Sequence, residues 1–317
     1  VKCVIAAAAT KSCSLDPVPT GLLKEVLDPL LEPITKIIAC SLSSGEVPSS
    51  FKTARVIPLL KKSSLDHDVL NNYRPVSNLP FLSKVMEKIV LKRLMTYMYL
   101  SDNDLVEPMQ SAYRRGYSTE TALLHVQQDV LCSLSSRRPW NVALLDLSAA
   151  FDTVDHTILL LLLKKRGICG TVLSWFESYL HRRHQFVAVG SESSTPRLLR
   201  SGVPQGSVLG PVLFNLYTGL LGDIPRTHNM NYHLYADDTT VYISFEATEL
   251  DHTLERMQRC VLAVKDHMNA MKLKMNEQKT DVIVMTTKNI QNALGEIPVL
   301  HLGDSEITAK EAVRSTE

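Results

Sequence analysis

Residues 233–242 read His-Leu-Tyr-Ala-Asp-Asp-Thr-Thr-Val-Tyr, and the rest of the chain is organised around that decapeptide. The runs on either side of Asp237 and Asp238 are rich in Tyr, Leu, Thr and Val, which favour strands, so the acidic pair suits the tight turn of a hairpin. Adjacent carboxylates repel each other unless a cation sits between them, and hard oxygen ligands of this kind suit Mg²⁺ or Mn²⁺. The same pair also serves as an ordinary solvated turn. Its meaning depends on what else the chain brings to it.

A second acidic element lies upstream. Val142 to Leu145 form a near-continuous apolar run, as in a strand buried on both faces, and Asp146 ends it. A carboxylate beside a buried strand needs a partner. Asp155 suits the N-cap of a helix carrying Ile158 to Leu163. A further helix is expected over Leu173 to Leu180, followed by the basic cluster His181 to His184 and two hairpin strands, Gln185–Val189 and Arg197–Ser201. Glycines at 202, 206 and 210 then permit close backbone approach before a helix that starts at Ser207. Residues 246–271 read as a long helix with Leu250, Leu254, Met257, Val261 and Val264 on one side. Lys279 stands just before a strand at Val282–Met285. If the Asp146 strand lies beside the hairpin, three carboxylates converge on one volume. That arrangement suits two divalent ions and an in-line displacement at phosphorus, which is nucleotidyl transfer.

The first hundred residues carry packing and positive charge. Leu22, Leu23, Val26, Leu27, Leu30 and Leu31 recur at helical spacing, with Pro29 and Pro33 marking breaks or first-turn positions. Thr53–Leu60 reads as a strand. Between residues 71 and 95 an amphipathic helix sets Leu82, Val85, Met86, Ile89, Val90 and Leu94 inward and Lys84, Lys88, Lys92 and Arg93 outward, a face fit for phosphate. Arg114-Arg115-Gly116, between Tyr113 and Tyr117, offers paired guanidinium groups on a loop. The formal net charge of +1 over 317 residues neither demands nor excludes nucleic acid. The six cysteines form no Cys-x-x-Cys pair, so reduced thiols are expected. The apolar run 158–163 is too short to span a bilayer.

These motifs together resemble a known family. Tyr-Ala-Asp-Asp at 235–238, Asp-Leu-Ser-Ala-Ala-Phe-Asp at 146–152 and Gly-Val-Pro-Gln-Gly-Ser at 202–207 are similar to the palm motifs of reverse transcriptases. Asn-Tyr-Arg-Pro-Val-Ser-Asn at 72–78 and Gln-Ser-Ala-Tyr-Arg-Arg-Gly-Tyr-Ser at 110–118 resemble finger motifs of the non-LTR (LINE-type) retrotransposon branch, and residues 12–62 resemble the region before the fingers. The resemblance implies an α+β fold with right-hand polymerase fingers and palm, an antiparallel palm sheet packed on helices, and the thumb missing. It divides the chain into a helical N-terminal extension (1–62), fingers (63–140) and palm with finger insertions (141–317).

By the same resemblance the activity is RNA-directed DNA polymerisation within a retrotransposon polyprotein. The partners are an RNA template, a DNA primer and deoxynucleoside triphosphates, with no membrane and no evident protein partner. The setting is intracellular, in cytoplasm and nucleus as part of a ribonucleoprotein. Asp146, Asp237 and Asp238 bind Mg²⁺ (or Mn²⁺) with help from the Leu147 carbonyl. Phe151 is the steric gate, and Gln205 and Gly206 contact nucleotide and template. Arg74, Arg114 and Arg115 meet phosphates, and Lys279 lies near the departing pyrophosphate.

The pattern also departs from the family. The resemblance leads one to expect an endonuclease domain ahead of residue 1 in complete elements, and places the start of the primer-grip segment at about Glu317. The last residues, 313–317, do not run into the expected Leu-Gly. A fragment truncated at both ends is therefore expected, binding RNA weakly and extending primers poorly. The alternative is a non-catalytic remnant with residual RNA binding. A viral RNA-dependent RNA polymerase fits less well, because Phe151 favours deoxynucleotides and Ala236 replaces that family's usual Gly.

Overall fold

A computed structural model describes residues 1–11, 13–99, 105–136, 138–148, 150–285, 299–302 and 305–308. The segment 313–317 lies outside the described residues. In chain order the strands are β1 (Thr53–Leu60), β2 (Tyr73–Asn78), β3 (Trp140–Leu145), β4 (Leu147–Ser148), β5 (Arg183–Val189), β6 (Glu192–Ser193), β7 (Arg197–Leu199), β8 (Asn231–Tyr235), β9 (Asp238–Ser244), β10 (Lys274–Met275), β11 (Asp281–Met285), β12 (Val299–Leu302) and β13 (Ser305–Thr308). The helices are α1 (Lys2–Ala6), α2 (Thr20–Glu25), α3 (Leu27–Ser44), α4 (Phe81–Met98), α5 (Thr119–Ser135), α6 (Ala150–Thr153), α7 (His156–Lys165), α8 (Gly170–Leu180), α9 (Gly210–Thr218), α10 (Asp223–Thr227) and α11 (Leu250–Ala270). The fold is mixed α/β. It divides into two compact units, Val1–Leu105 with Phe151–Tyr217, and Val106–Ala150 with Thr218–Glu317.

In the first unit the strand order is β2-β1-β5-β6, with β7 also on β5. Only the β1–β5 pairing is parallel; β1–β2, β5–β6 and β5–β7 are antiparallel. Pro29 sits in the first turn of α3, where its missing N–H costs nothing, but Pro33 does not break the helix as its residue type suggests. Burial of Ile34 and Ile38 carries α3 past the lost hydrogen bond. Asp155 caps α7 as expected, its Oδ1 accepting the Ile158 N–H at 3.0 Å. The basic cluster after α8 is not wholly solvated. Arg183 is 1% exposed and lies 4.8 Å over the Tyr179 ring. Trp175, also buried and one helical turn earlier, stacks on Tyr179 with ring centroids 5.5 Å apart.

In the second unit an antiparallel sheet runs β11-β3-β9-β8. β3 is central and buried almost throughout, as a run apolar on both faces should be. On one face Trp140, Val142, Tyr242 and Ile283 form a cluster against Val126 and Val130 of α5. The Tyr242 hydroxyl donates to Asp129 of the same helix at 2.8 Å. α11 also packs on β3, burying Met257, Cys260, Val261, Val264 and Met268 completely. Each such side chain contributes about 1.5–3 kcal/mol. Ser118 and Thr121 open α5 by exchanging hydrogen bonds, each side-chain oxygen accepting the other's backbone N–H. All six cysteines are free, and no described helix is long and apolar enough to cross a membrane.

Trp140 stacks on Tyr242 with ring centroids 4.8 Å apart, and its indole N–H has no hydrogen-bond partner among the described residues. Trp140→Ala should therefore cost about 3–5 kcal/mol of stability in urea unfolding. Trp140→Phe should cost clearly less, because the smaller cavity is offset by removal of a buried unpaired donor. Equal losses in the two variants would show that the indole N–H carries no penalty.

Candidate active site

The register of the second unit's sheet collects charge at one end. β3 and β9 pair with Leu145 opposite Thr239, so one further step sets Asp146 opposite Asp238. On the other side of β3, Asp281 pairs with Leu144, and the 3₁₀ turn Glu277–Lys279 just before it brings the Lys279 side chain to Asp146. The hairpin closes with Tyr235 opposite Asp238, leaving Ala236 and Asp237 as a two-residue turn. The expected hairpin and the expected neighbouring strand are both present.

Asp146 is tethered and electrically exposed at once. Its backbone carbonyl accepts the Asn276 N–H at 2.8 Å. Its Oδ2 is buried and accepts no hydrogen bond from the described residues, while the Lys279 ammonium stands 3.4 Å away on a largely solvent-facing side chain. Leu147 follows, buried and paired with Met275. Desolvation, then the negative fields of Asp237 and Asp146, push the Asp238 carboxyl up to about 6, with Lys279 acting against them. Asp238 still reaches solvent, so its desolvation is partial. Among the described residues no three His, Cys, Asp or Glu side chains already close around a metal. Three neighbouring carboxylates, one with a buried oxygen held only by the Lys279 ion pair, are nonetheless the donor chemistry that a hard divalent cation relieves.

The arginines of the 110–118 loop fare differently from each other. Arg114 Nη1 donates to the carbonyls of Glu107, Pro108 and Gln110, and its guanidinium lies 4.4 Å over the Tyr117 ring. It holds the loop's shape. Arg115 is exposed. Tyr113 adopts a left-handed φ of +62°, and burial followed by the charge of Asp237 raises its hydroxyl pKa.

The remaining expected residues belong to the first unit. Phe151 stacks on Phe214 at 4.6 Å and 18°, and its carbonyl accepts the Val203 N–H. The Gln205 carbonyl accepts the Ser77 N–H at 2.7 Å, drawing the glycine loop onto β2. Gly206 has φ +109°, and a Cβ there would lie 2.7 Å from the Ser77 carbonyl oxygen. A Cβ on Gly202 would lie 2.8 Å from the Asp152 carbonyl oxygen. Both glycines are thus demanded by close backbone approach. A cleft of about 100 Å³ opens here, lined by Pro75, Ser77, Asp152, Gln185, Gly202 and Gln205 among others. Arg74 is exposed on β2.

One residue of this loop's support escapes a surface-charge reading. Glu87, which reads as a lone acid on a basic helix, is 1% exposed. Its Oε2 accepts the N–H groups of Val208 and Leu209 at 2.7 and 3.1 Å, anchoring the loop where α9 is about to begin. Burial raises its pKa, opposed by Arg183 and those two N–H groups. The signal was available, since Ser83, Glu87, Val90 and Leu94 form one helical stripe that is otherwise buried.

The raised Asp238 carboxyl gives a pH signature. With the folded pKa above the unfolded value, the native state holds the extra proton, so stability falls as pH rises from about 4 to about 6. In metal-free protein the thermal midpoint of Asp238→Asn should lack this decline, and the two midpoints should diverge across that window. Parallel curves would show that Asp238 titrates normally.

Comparison with known proteins bears on these residues. A family model described as reverse transcriptase (RNA-dependent DNA polymerase) matches residues 59–304. The chain is 28% identical over 253 residues to a probable RNA-directed DNA polymerase from transposon BS of Drosophila melanogaster, covering 77% of this chain and 27% of that protein. It is 32% identical over 223 residues to the RNA-directed DNA polymerase from mobile element jockey of the same species, covering 68% and 24%. It is 29% identical over 172 residues to a retrovirus-related Pol polyprotein from type-1 retrotransposable element R2 of Popillia japonica, covering 54% and 23%. The chain spans about a quarter of the length of these relatives.

Proposed function

Because the chain belongs to the reverse transcriptase (RNA-dependent DNA polymerase) family, we propose that it is the polymerase domain of a non-LTR retrotransposon protein, with the second unit's sheet as palm and the β1–β2 sheet within the fingers. Its substrates are then an RNA template, a DNA primer and deoxynucleoside triphosphates, and it works inside the cell within a ribonucleoprotein. The observation that carries this reading is the convergence of Asp146, Asp238 and Lys279 at one end of the sheet, beside the Asp237 turn.

Asp146, Asp237 and Asp238, with the Leu147 carbonyl, are the groups that would hold Mg²⁺ or Mn²⁺. Two such ions, when bound, activate the primer hydroxyl and offset charge on the leaving oxygen. The chain's own residues do the rest. Sheet register holds the carboxylates in place before any substrate arrives, so little reorganisation is left for the reaction. The Lys279 ammonium supplies positive charge, and a proton if needed, to the departing pyrophosphate. Phe214 fixes the Phe151 ring from behind, so the ring can act as a rigid wall against a ribose 2′-hydroxyl. Gln205 and Gly206 present backbone to the nucleotide and template. Arg74 and Arg115 are free to meet phosphate, whereas Arg114 serves mainly to shape its loop.

The test is extension of a DNA primer on an RNA template by the chain, alone and joined to the downstream sequence of one of the polymerases above. Asp146→Asn, Asp237→Asn and Asp238→Asn should each slow nucleotide addition by on the order of 10³-fold or more without loss of folding, and in metal-free protein above about pH 6 the thermal midpoint of Asp238→Asn should rise. Phe151→Ala should admit ribonucleotides while weakening use of deoxynucleotides. Full activity in Asp237→Asn, or no extension by either form of the protein, would sink the reading.

A further inference from the structure

Gln110 takes no part in the chemistry above, yet it is 3% exposed and 126 residues from the turn it reaches. Its Oε1 accepts the backbone N–H groups of Ala112 at 2.9 Å and Ala236 at 3.0 Å. Its Nε2 donates to the Ala236 carbonyl at 3.4 Å. Backbone N–H groups can only donate, so the two that face Oε1 settle which end of the carboxamide is oxygen. One side chain therefore grips both polar groups of the residue that precedes Asp237.

Ala236 needs that grip. Its φ of +56° is left-handed, and it occupies the first position of a two-residue hairpin turn, where glycine is the residue that adopts such a φ without steric cost. Nothing in an alanine side chain holds the backbone there. Gln110 is itself immobilised by the strand it leans on. The Ser111 N–H donates to the Leu234 carbonyl and the Leu234 N–H to the Met109 carbonyl, both at 3.0 Å. Ser111 Oγ lies 2.9 Å from His233 Nε2, and the Tyr232 hydroxyl donates to Glu107 at 2.6 Å. Arg114 pins the loop from within through three carbonyls.

We propose that Gln110 is a positioning residue for the acidic turn: it locks Ala236 in the left-handed conformation that aims Asp237 and Asp238 toward Asp146. The role in polymerisation rests on the function proposed above; the role in the turn does not. A turn released from Gln110 can rotate the peptide before Asp237, and misplacement of a reacting group by about 1 Å can cost on the order of 10²-fold in rate.

Gln110→Met roughly keeps the volume and removes every side-chain hydrogen bond. In this variant amide exchange at Ala236 should quicken by about tenfold or more. Mn²⁺ binding, followed by calorimetry, should weaken several-fold, and in the extension-competent protein kcat should fall about 10- to 100-fold with KM for the nucleotide changed little. Adding Ala236→Gly should return part of the lost kcat, because glycine adopts the turn without help. Gln110→Glu keeps an oxygen for both N–H groups but sets a second, buried oxygen against the Ala236 carbonyl, so it guards against a misfolded Met variant and should quicken exchange at Ala236 in the same direction. Unchanged Ala236 exchange and Mn²⁺ affinity in Gln110→Met and Gln110→Glu would overturn the proposal, as would a lost kcat that Ala236→Gly does not restore. Asp237→Asn run alongside separates the two levels: if it leaves extension intact, the polymerase reading fails while exchange at Ala236 still decides the role of Gln110.

Discussion

Antiparallel pairing of Trp140–Leu145 with Asp238–Ser244 is the constraint on which the candidate site depends. Side chains alternate along a strand, so a slip of one residue would carry Asp146 to the opposite face and exchange Trp140 and Val142 for Asn141 and Ala143 in the α5 cluster. The apolar cluster and the acidic end are therefore set by one register. Carboxylates that repel each other do not choose to be neighbours; the burial of Trp140, Val142, Tyr242 and Ile283 makes them so. That is the usual relation of a strained polar site to the packing beneath it.

The first unit solves a different problem, that of holding an open glycine loop in one shape. Its means are polar and buried. Glu87 receives the two N–H groups at 208 and 209, and the guanidinium of Arg183, itself buried over Tyr179, opposes the charge. Ser207 Oγ accepts the Gly210 N–H and closes the start of α9. A carboxylate at this depth is expensive unless its lone pairs are used. Here they are, and the loop's geometry is the return.

Much of this was legible in the residues themselves. The hairpin at 233–242, the doubly buried strand at 142–145 and the cap at Asp155 follow from alternation, apolar runs and side-chain oxygen chemistry. Their structural counterparts differ only at the ends. The helix read from Ser207 begins at Gly210, whose N–H the Ser207 hydroxyl accepts, and the helix read from 246 begins at Leu250 after one 3₁₀ turn at Ala247–Glu249. The charged residues were harder. Arg114 reads as a phosphate contact and Arg183 and Glu87 as surface charge, yet Arg114 is occupied by nearby carbonyls, Arg183 by the ring one turn back and Glu87 by N–H groups 121 and 122 residues away. Gln110 left no trace in spacing, since a contact to a backbone group 126 residues away has no periodicity.

The chain has two tryptophans, and the fold places one in each unit: Trp140 in the second and Trp175 in the first, 1% and 2% exposed. Each is shielded from water by a stacked tyrosine, Tyr242 for the one and Tyr179 for the other. Intrinsic emission is thus a two-channel signal in which each indole reports the hydration of its own unit. With one indole replaced, the fluorescence of the other becomes a private optical probe, able to tell whether the acidic sheet and the glycine-loop unit melt as a single cooperative body or in separate steps.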